Sequence, residues 1–189
     1  ATLNITAFDV IVVGGYYLTQ DYAFDSASDP ARDAFEDEGL PAVILADECD
    51  ACLDMGITTT DGNIDYTQTS ITNISTHNIM TGYSGTVTIS VEDNDLGYYT
   101  DSIFNDEYTS LFAGQSSDRV SGFAMNPLQA TTGTNSSRFV WLGWDTQDSY
   151  SPETDNDGNI TKQAICWAAT GSYDCVNKEN ITTDTASTP

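Results

Sequence analysis

The most apolar stretch of this chain, Val10-Ile11-Val12-Val13, is four residues long and is bracketed by Asp9 and by Gly14-Gly15. No run approaches the eighteen or so apolar residues a membrane-spanning helix needs. The remaining apolar segments are just as short and are separated by polar turns. A chain built this way buries its core with many short strands, and only one segment reads as a helix.

The first strand spans residues 2–13. Leu3, Ile5 and Ala7 alternate with polar neighbours, and then the phase changes so that Phe8, Val10 and Val12 carry the apolar face. Strand side chains have a strict two-residue period, so a phase change marks a bulge or a switch of sheet. The two halves therefore face differently, and Gly14-Gly15 ends them.

Residues 25–39 read as a short surface helix. Asp29-Pro30 supplies an N-cap with proline at the first helical position, and Gly39 and Pro41 stop it. Val43 to Leu45 reads as a short buried strand. Residues 57–60 and 63–69 read as a hairpin across Asp61-Gly62. Thr86 to Val91 is a half-buried strand, and Arg119 to Met125 is another. Phe139 to Leu142, apolar on both faces, is a central strand. Asp155-Asn156-Asp157-Gly158 reads as a turn. Strands over Ile160–Ala168 and Tyr173–Val176 then close the pattern, and the tail from Asn180 is polar.

The expected fold is all-β: a β-sandwich, Ig-like or jelly-roll-like, with one short surface helix and an extended N-terminal strand. The expected organisation is an N-terminal strand over 1–15, a sandwich over 16–179 and a tail over 180–189.

Composition narrows the partners. The chain of 189 residues carries 29 Asp and Glu against 5 Lys and Arg, a net charge of −24. Phosphate binding needs clustered cations, so nucleic acid and anionic membrane surfaces are excluded as partners. Leu, Ile, Val and Phe supply 38 residues, about a fifth of the chain, which borders on the disordered class. Ten Tyr and three Trp restore the material for a core.

Four cysteines, Cys49, Cys52, Cys166 and Cys175, form an even set suited to an oxidising compartment. Cys49 and Cys52 are spaced as a redox pair or half a zinc site would be. The carboxylates Glu48, Asp50 and Asp54 disfavour a reactive thiolate, and the Cys166–Cys175 spacing is too wide for the other half of a zinc site. Structural disulfides are expected, Cys49–Cys52 and Cys166–Cys175 ahead of a cross-link between the two segments. The chain opens on Ala1 without an initiator Met, as a mature chain freed of its signal peptide would. Sequons begin at Asn4, Asn73, Asn135, Asn159 and Asn180, a mild excess over the roughly three expected by chance, so N-linked glycans are expected. Together these features point to an extracellular or cell-surface protein.

No catalytic site stands out. The single histidine, His77, reads as a turn or surface residue, and no nucleophile elbow surrounds a serine. Carboxylate pairs are too common here to signal a glycosidase. The segment Glu153-x-Asp155-x-Asp157-Gly158 resembles the first half of a calcium loop, with Asp155, Asp157 and Asn159 as oxygen ligands. It lacks the closing glutamate, since Ala164 stands at that position. Glu92 to Asp95 is a second acidic turn. Trp141, Trp144 and Trp167 read first as core residues. No cofactor is required on this reading, and calcium is the one cation the residues suggest.

The layout, with Ala1 to Val13 ahead of Gly14-Gly15 and a β-rich remainder, resembles donor-strand-complemented pilins and related extracellular β-sandwich fibre subunits. Its acidity and its four cysteines depart from the usual pattern. The resemblance implies a homopolymer: Leu3, Ile5, Ala7, Phe8, Val10 and Val12 would form an assembly strand added to the next copy. The alternative is a calcium-assisted, adhesive module binding surface glycans.

Overall fold

A computed structural model describes residues 9–14, 32, 34–35, 39–47, 49–65, 67–90, 95–100, 104, 107–114, 116, 118–126, 137–144 and 155–173. The strands are β1 (Ile11–Gly14), β2 (Ala42–Leu45), β3 (Asn63–Asp65), β4 (Ser70–Asn73), β5 (Thr86–Thr88), β6 (Leu96–Thr100), β7 (Thr109–Ala113), β8 (Arg119–Val120), β9 (Gly122–Met125) and β10 (Phe139–Leu142). Among the described residues the helices with defined bounds are α1 (Asp50–Asp54) and α2 (Asn156–Thr170), with a 3-10 turn at Asn78–Met80.

Seven strands form one mixed sheet in the order β1-β2-β10-β9-β7-β4-β5, and β3-β6-β8 form a second. The first three strands of the large sheet run parallel: Ile11 lies beside Ala42, and Ala42 beside Phe139. All the other pairs are antiparallel. The expectation of a β-rich chain is met.

The parallel strands explain why Ala42–Leu45 and Phe139–Leu142 show no alternation. Every residue of both strands is buried, because both faces of the sheet are covered. On one face Val43, Leu45, Val140, Leu142 and Ala124 pack against Ile160, Ala164, Trp167 and Ala168 of α2. On the other, Ile44, Phe123, Phe139 and Trp141 share a core with Tyr99 and Val120 of the small sheet and with Ala51 and Cys52 of α1.

Helix α2 corrects the sequence reading. Ile160–Ala168 is not a strand, and Asp155–Gly158 is not a free turn but the start of this helix. Ile160, Ala164, Trp167 and Ala168 recur at helical spacing, which puts them on one face toward the sheet. Gly171 ends the helix in a left-handed conformation (φ 77°) and its N–H donates to the Trp167 carbonyl at 2.7 Å. Arg138 sits at that same end. Its Nε donates to the Ala168 carbonyl at 2.6 Å, a cation placed at the negative end of the helix dipole.

Other boundaries shift as well. The Asp61-Gly62 hairpin does not form: β3 pairs with β6, and Thr58 bridges Phe104. The expected strand over Arg119–Met125 breaks at Ser121 into β8 and β9, which belong to different sheets. Within residues 25–39, Arg32, Ala34 and Phe35 are helical. Phe35 is no surface residue: it is fully buried, edge-on to Phe139 at 5.7 Å between ring centres. Tyr173 lies in an exposed bend, while residues 174–176 and the tail fall outside the described residues.

Candidate functional site

Strand β1 carries the described part of the expected assembly strand. Leu3, Ile5, Ala7 and Phe8 lie outside the described residues. Residues 11–14 are a strand of the chain's own large sheet, and Gly14 belongs to the strand rather than ending it. The expected apolar face is only partly right. Val10 packs against the core on the α2 side, and Val13 is buried in the core on the other side, with Ile11 packed against it. Val12 is 45% exposed. Among the described residues β1 is the outermost strand of the sheet. Ile11 N–H donates to the Pro41 carbonyl at 2.8 Å, which turns the main chain of Ile11 and Val13 toward β2 and that of Val12 away from it.

The opposite edge of the sheet, β5, meets the first turn of α2. Asn156 Nδ2 donates to the Thr88 carbonyl at 2.8 Å, and the Ser90 N–H donates to Asp157 Oδ1 at 3.0 Å. Asp157 is 1% exposed, and its buried Oδ2 has no hydrogen-bond partner among the described residues. It lies in the first turn of α2, at the positive end of the helix dipole. The Tyr83 hydroxyl donates to the Asn156 carbonyl at 3.4 Å. Burial, with the nearby Asp157 carboxylate, raises the Tyr83 pKa.

The helix changes the reading of Asp155, Asp157 and Asn159. Asp155 is the N-cap, in extended conformation, and Asn159 N–H donates to its carbonyl at 3.0 Å. In a calcium loop alternate residues converge on one ion, whereas residues two apart on a helix do not face each other. Among the described residues no three His, Cys, Asp or Glu side chains are gathered for a metal ion.

The cysteine reading holds where it is described. Cys49 and Cys52 form a disulfide, both fully buried, at the start of α1. Cys166 is also disulfide-bonded, while Cys175 lies outside the described residues. The Tyr99 hydroxyl, itself buried, donates to the Cys49 carbonyl at 3.0 Å and ties the disulfide segment to the small sheet. Of the sequons, Asn4, Asn135 and Asn180 lie outside the described residues, as do Glu92 to Asn94. Asn73 uses its side-chain amide in the fold: Nδ2 donates to the Tyr83 carbonyl at 2.8 Å, and Oδ1 accepts from Ser75 N–H at 2.8 Å. Asn159 is half-buried on α2.

The three tryptophans are core residues: Trp141 and Trp144 are fully buried and Trp167 nearly so. They offer no stacking platform for a sugar.

His77 is a turn residue, as the sequence predicts, with more packing than a surface position. Its Nδ1 accepts the Ile79 N–H at 3.3 Å, capping the 3-10 turn, and its ring meets Trp167 edge-on at 4.7 Å. Burial lowers its pKa from 6.5. Below pH 6.5 the unfolded chain therefore takes up a proton that the fold resists. This contribution is complete above about pH 6.5 and is lost as pH falls toward the lowered folded value. Compared by calorimetry with His77→Gln, the native chain should lose stability relative to the variant from pH 7 to pH 5, and the gap should stay flat above pH 7. A gap that does not change with pH would contradict this.

No protein-family model matches the chain, and no curated protein matches it in sequence.

Proposed function

We propose that the chain is a structural subunit of an extracellular filament, assembling head-to-tail by adding its N-terminal segment to the sheet of a neighbouring copy. The observation that carries this reading is the position of β1. Residues 11–14 anchor in the chain's own sheet, as its edge strand among the described residues, and the alternating segment Leu3 to Ala7 comes shortly before them in the sequence. A strand whose two halves serve two sheets makes a heterologous contact, and such a contact propagates rather than closes.

Other observations support the setting. A buried disulfide suits an oxidising compartment. Among the described residues no helix is long and apolar enough to cross a membrane. The small sheet shares a core with one face of the large sheet, as in a sandwich. Ig-like and jelly-roll orders are antiparallel, so the parallel β1-β2-β10 strands are where this subunit departs from them. The glycan-binding alternative loses its tryptophans to the core.

The test is a truncation that removes residues 1–8 and keeps β1. Because β1 pairs with β2, cutting further would damage the fold and confuse the result. The truncated chain should keep its thermal midpoint and form no filaments by negative-stain microscopy. Filaments of undiminished length would overturn the proposal.

A further inference from the structure

The longest stretch free of charged side chains runs from Tyr66 to Val91, in a protein of net charge −24. It contains β4 and β5, so one edge of the large sheet is built from an uncharged hairpin. Exposed sheet edges invite pairing with another chain, and proteins commonly guard them with charges. Here the guard is different.

The main-chain directions on β5 follow from its bonds to β4. Asn73 N–H donates to the Gly85 carbonyl at 2.9 Å, and Ile89 N–H donates to the Thr69 carbonyl at 3.0 Å. The groups of residues 85, 87 and 89 thus face β4, and by alternation those of Thr86, Thr88 and Ser90 face outward. Two of these outward groups, the Thr88 carbonyl and the Ser90 N–H, are the ones held by Asn156 and Asp157. The first turn of α2 therefore occupies the position a further strand would take.

We propose that β5 is the acceptor edge for residues 1–8 of a second copy, and that Asn156 and Asp157 latch this edge shut until it is used. The inference rests on the strand-addition reading and names its docking edge and its control. The occupant follows from charge and pattern. Residues 1–8 carry no charged side chain and alternate Leu3, Ile5 and Ala7 with polar residues, so they pair with an uncharged edge without like-charge repulsion. The acids elsewhere on the chain would repel an acidic partner strand. With the latch closed, the chain resists premature polymerisation. Each incoming segment must displace two hydrogen bonds before it gains its own.

The test uses a fluorescently labelled peptide of residues 1–8 and the full chain, with binding read by anisotropy. Asn156→Ala removes one half of the latch at an exposed hydrogen bond, and circular dichroism checks its fold. The peptide should bind this variant about tenfold more tightly than the native chain, the gain expected from releasing one hydrogen bond. Adding Thr88→Pro to that variant removes an outward N–H without touching the β4 pairing and should abolish binding. If the proline variant does not fold, amide exchange decides instead: bound peptide should protect the Thr88 amide of Asn156→Ala. Equal binding to native chain and Asn156→Ala would overturn the latch. No binding, binding that survives Thr88→Pro, or bound peptide that leaves the Thr88 amide unprotected would overturn the acceptor edge. Failure of the filament reading shows separately, as filaments persisting after residues 1–8 are removed.

Discussion

Replacing Gly97 by alanine is expected to abolish cooperative folding. A Cβ at Gly97 would lie 1.6 Å from the Asp47 carbonyl oxygen and 2.5 Å from its carbon, both main-chain atoms at the end of β2. No side-chain rotation relieves that overlap, so β6 must move as a whole. Gly97 is held there from the other side too, since its N–H donates to the Gly143 carbonyl at 2.7 Å. Gly143 is equally confined: a Cβ on it would meet the Gly97 oxygen at 2.5 Å and the Ser121 oxygen at 2.7 Å. The two glycines let the small sheet cross the carboxyl ends of β2 and β10 at main-chain contact. Moving β6 would also pull Tyr99, two residues on, away from Trp141 and the Cys49 carbonyl. The combined loss should exceed about 4 kcal/mol, a large part of the roughly 5–15 kcal/mol that holds an ordinary domain. Gly62→Ala is the control, because the nearest atom to its Cβ would be in the Tyr99 side chain at 3.4 Å, an ordinary contact. A normal thermal transition for Gly97→Ala would show that β6 does not cross there.

Trp141→Ala is the second large effect. Trp141 lies on β10, between β2 and β9, and is fully buried. Its ring meets Tyr99 edge-on at 4.9 Å, and its Nε1 donates to the Ala46 carbonyl at 3.0 Å. Truncation empties the largest side chain of that core and orphans a buried carbonyl. The cavity costs about 3–5 kcal/mol, and the unpaired acceptor adds about 1–3 kcal/mol. In a chain of this size the thermal midpoint should fall by roughly 10–20 °C. Trp141→Phe should recover most of the packing loss but not the hydrogen bond, so urea unfolding should place it between the two. A phenylalanine variant as stable as the native chain would show that the bond to Ala46 contributes nothing.

Much of the sheet was legible because its central strands carry an unambiguous signal. Phe139–Leu142 and Val43–Leu45 are apolar at every position, and only a strand buried on both faces needs that. Their parallel pairing was not legible, since an all-apolar run says nothing about direction. Helix α2 is not legible in the sequence although its spacing is present. Ile160, Ala164, Trp167 and Ala168 keep a helical period, but Asp157-Gly158 resembles a turn, and the apolar residues between strengthen a strand reading. The Asp61-Gly62 signal failed because β3 finds its partner in β6, across contacts that local sequence does not encode. The candidate edge was half legible. The phase change before Gly14 marked a strand with two faces, but the latch on β5 joins residues 88 and 90 to 156 and 157, and only the fold brings them together.

The placement of β10 between β2 and β9 also governs when this chain can finish folding. Ala42 waits for Phe139 as its neighbour, and nearly the whole antiparallel half of the sheet is made in the interval. At about 5–20 residues per second during synthesis, that delay is on the order of ten seconds. Throughout it, a strand destined for complete burial has at most the edge strand β1 beside it. Long-range pairing of this kind is slow after release as well, because the loop must close before its contacts repay the cost. Yield in a host cell should therefore depend on what shields Ala42–Leu45 during those seconds more than on the final stability of the fold.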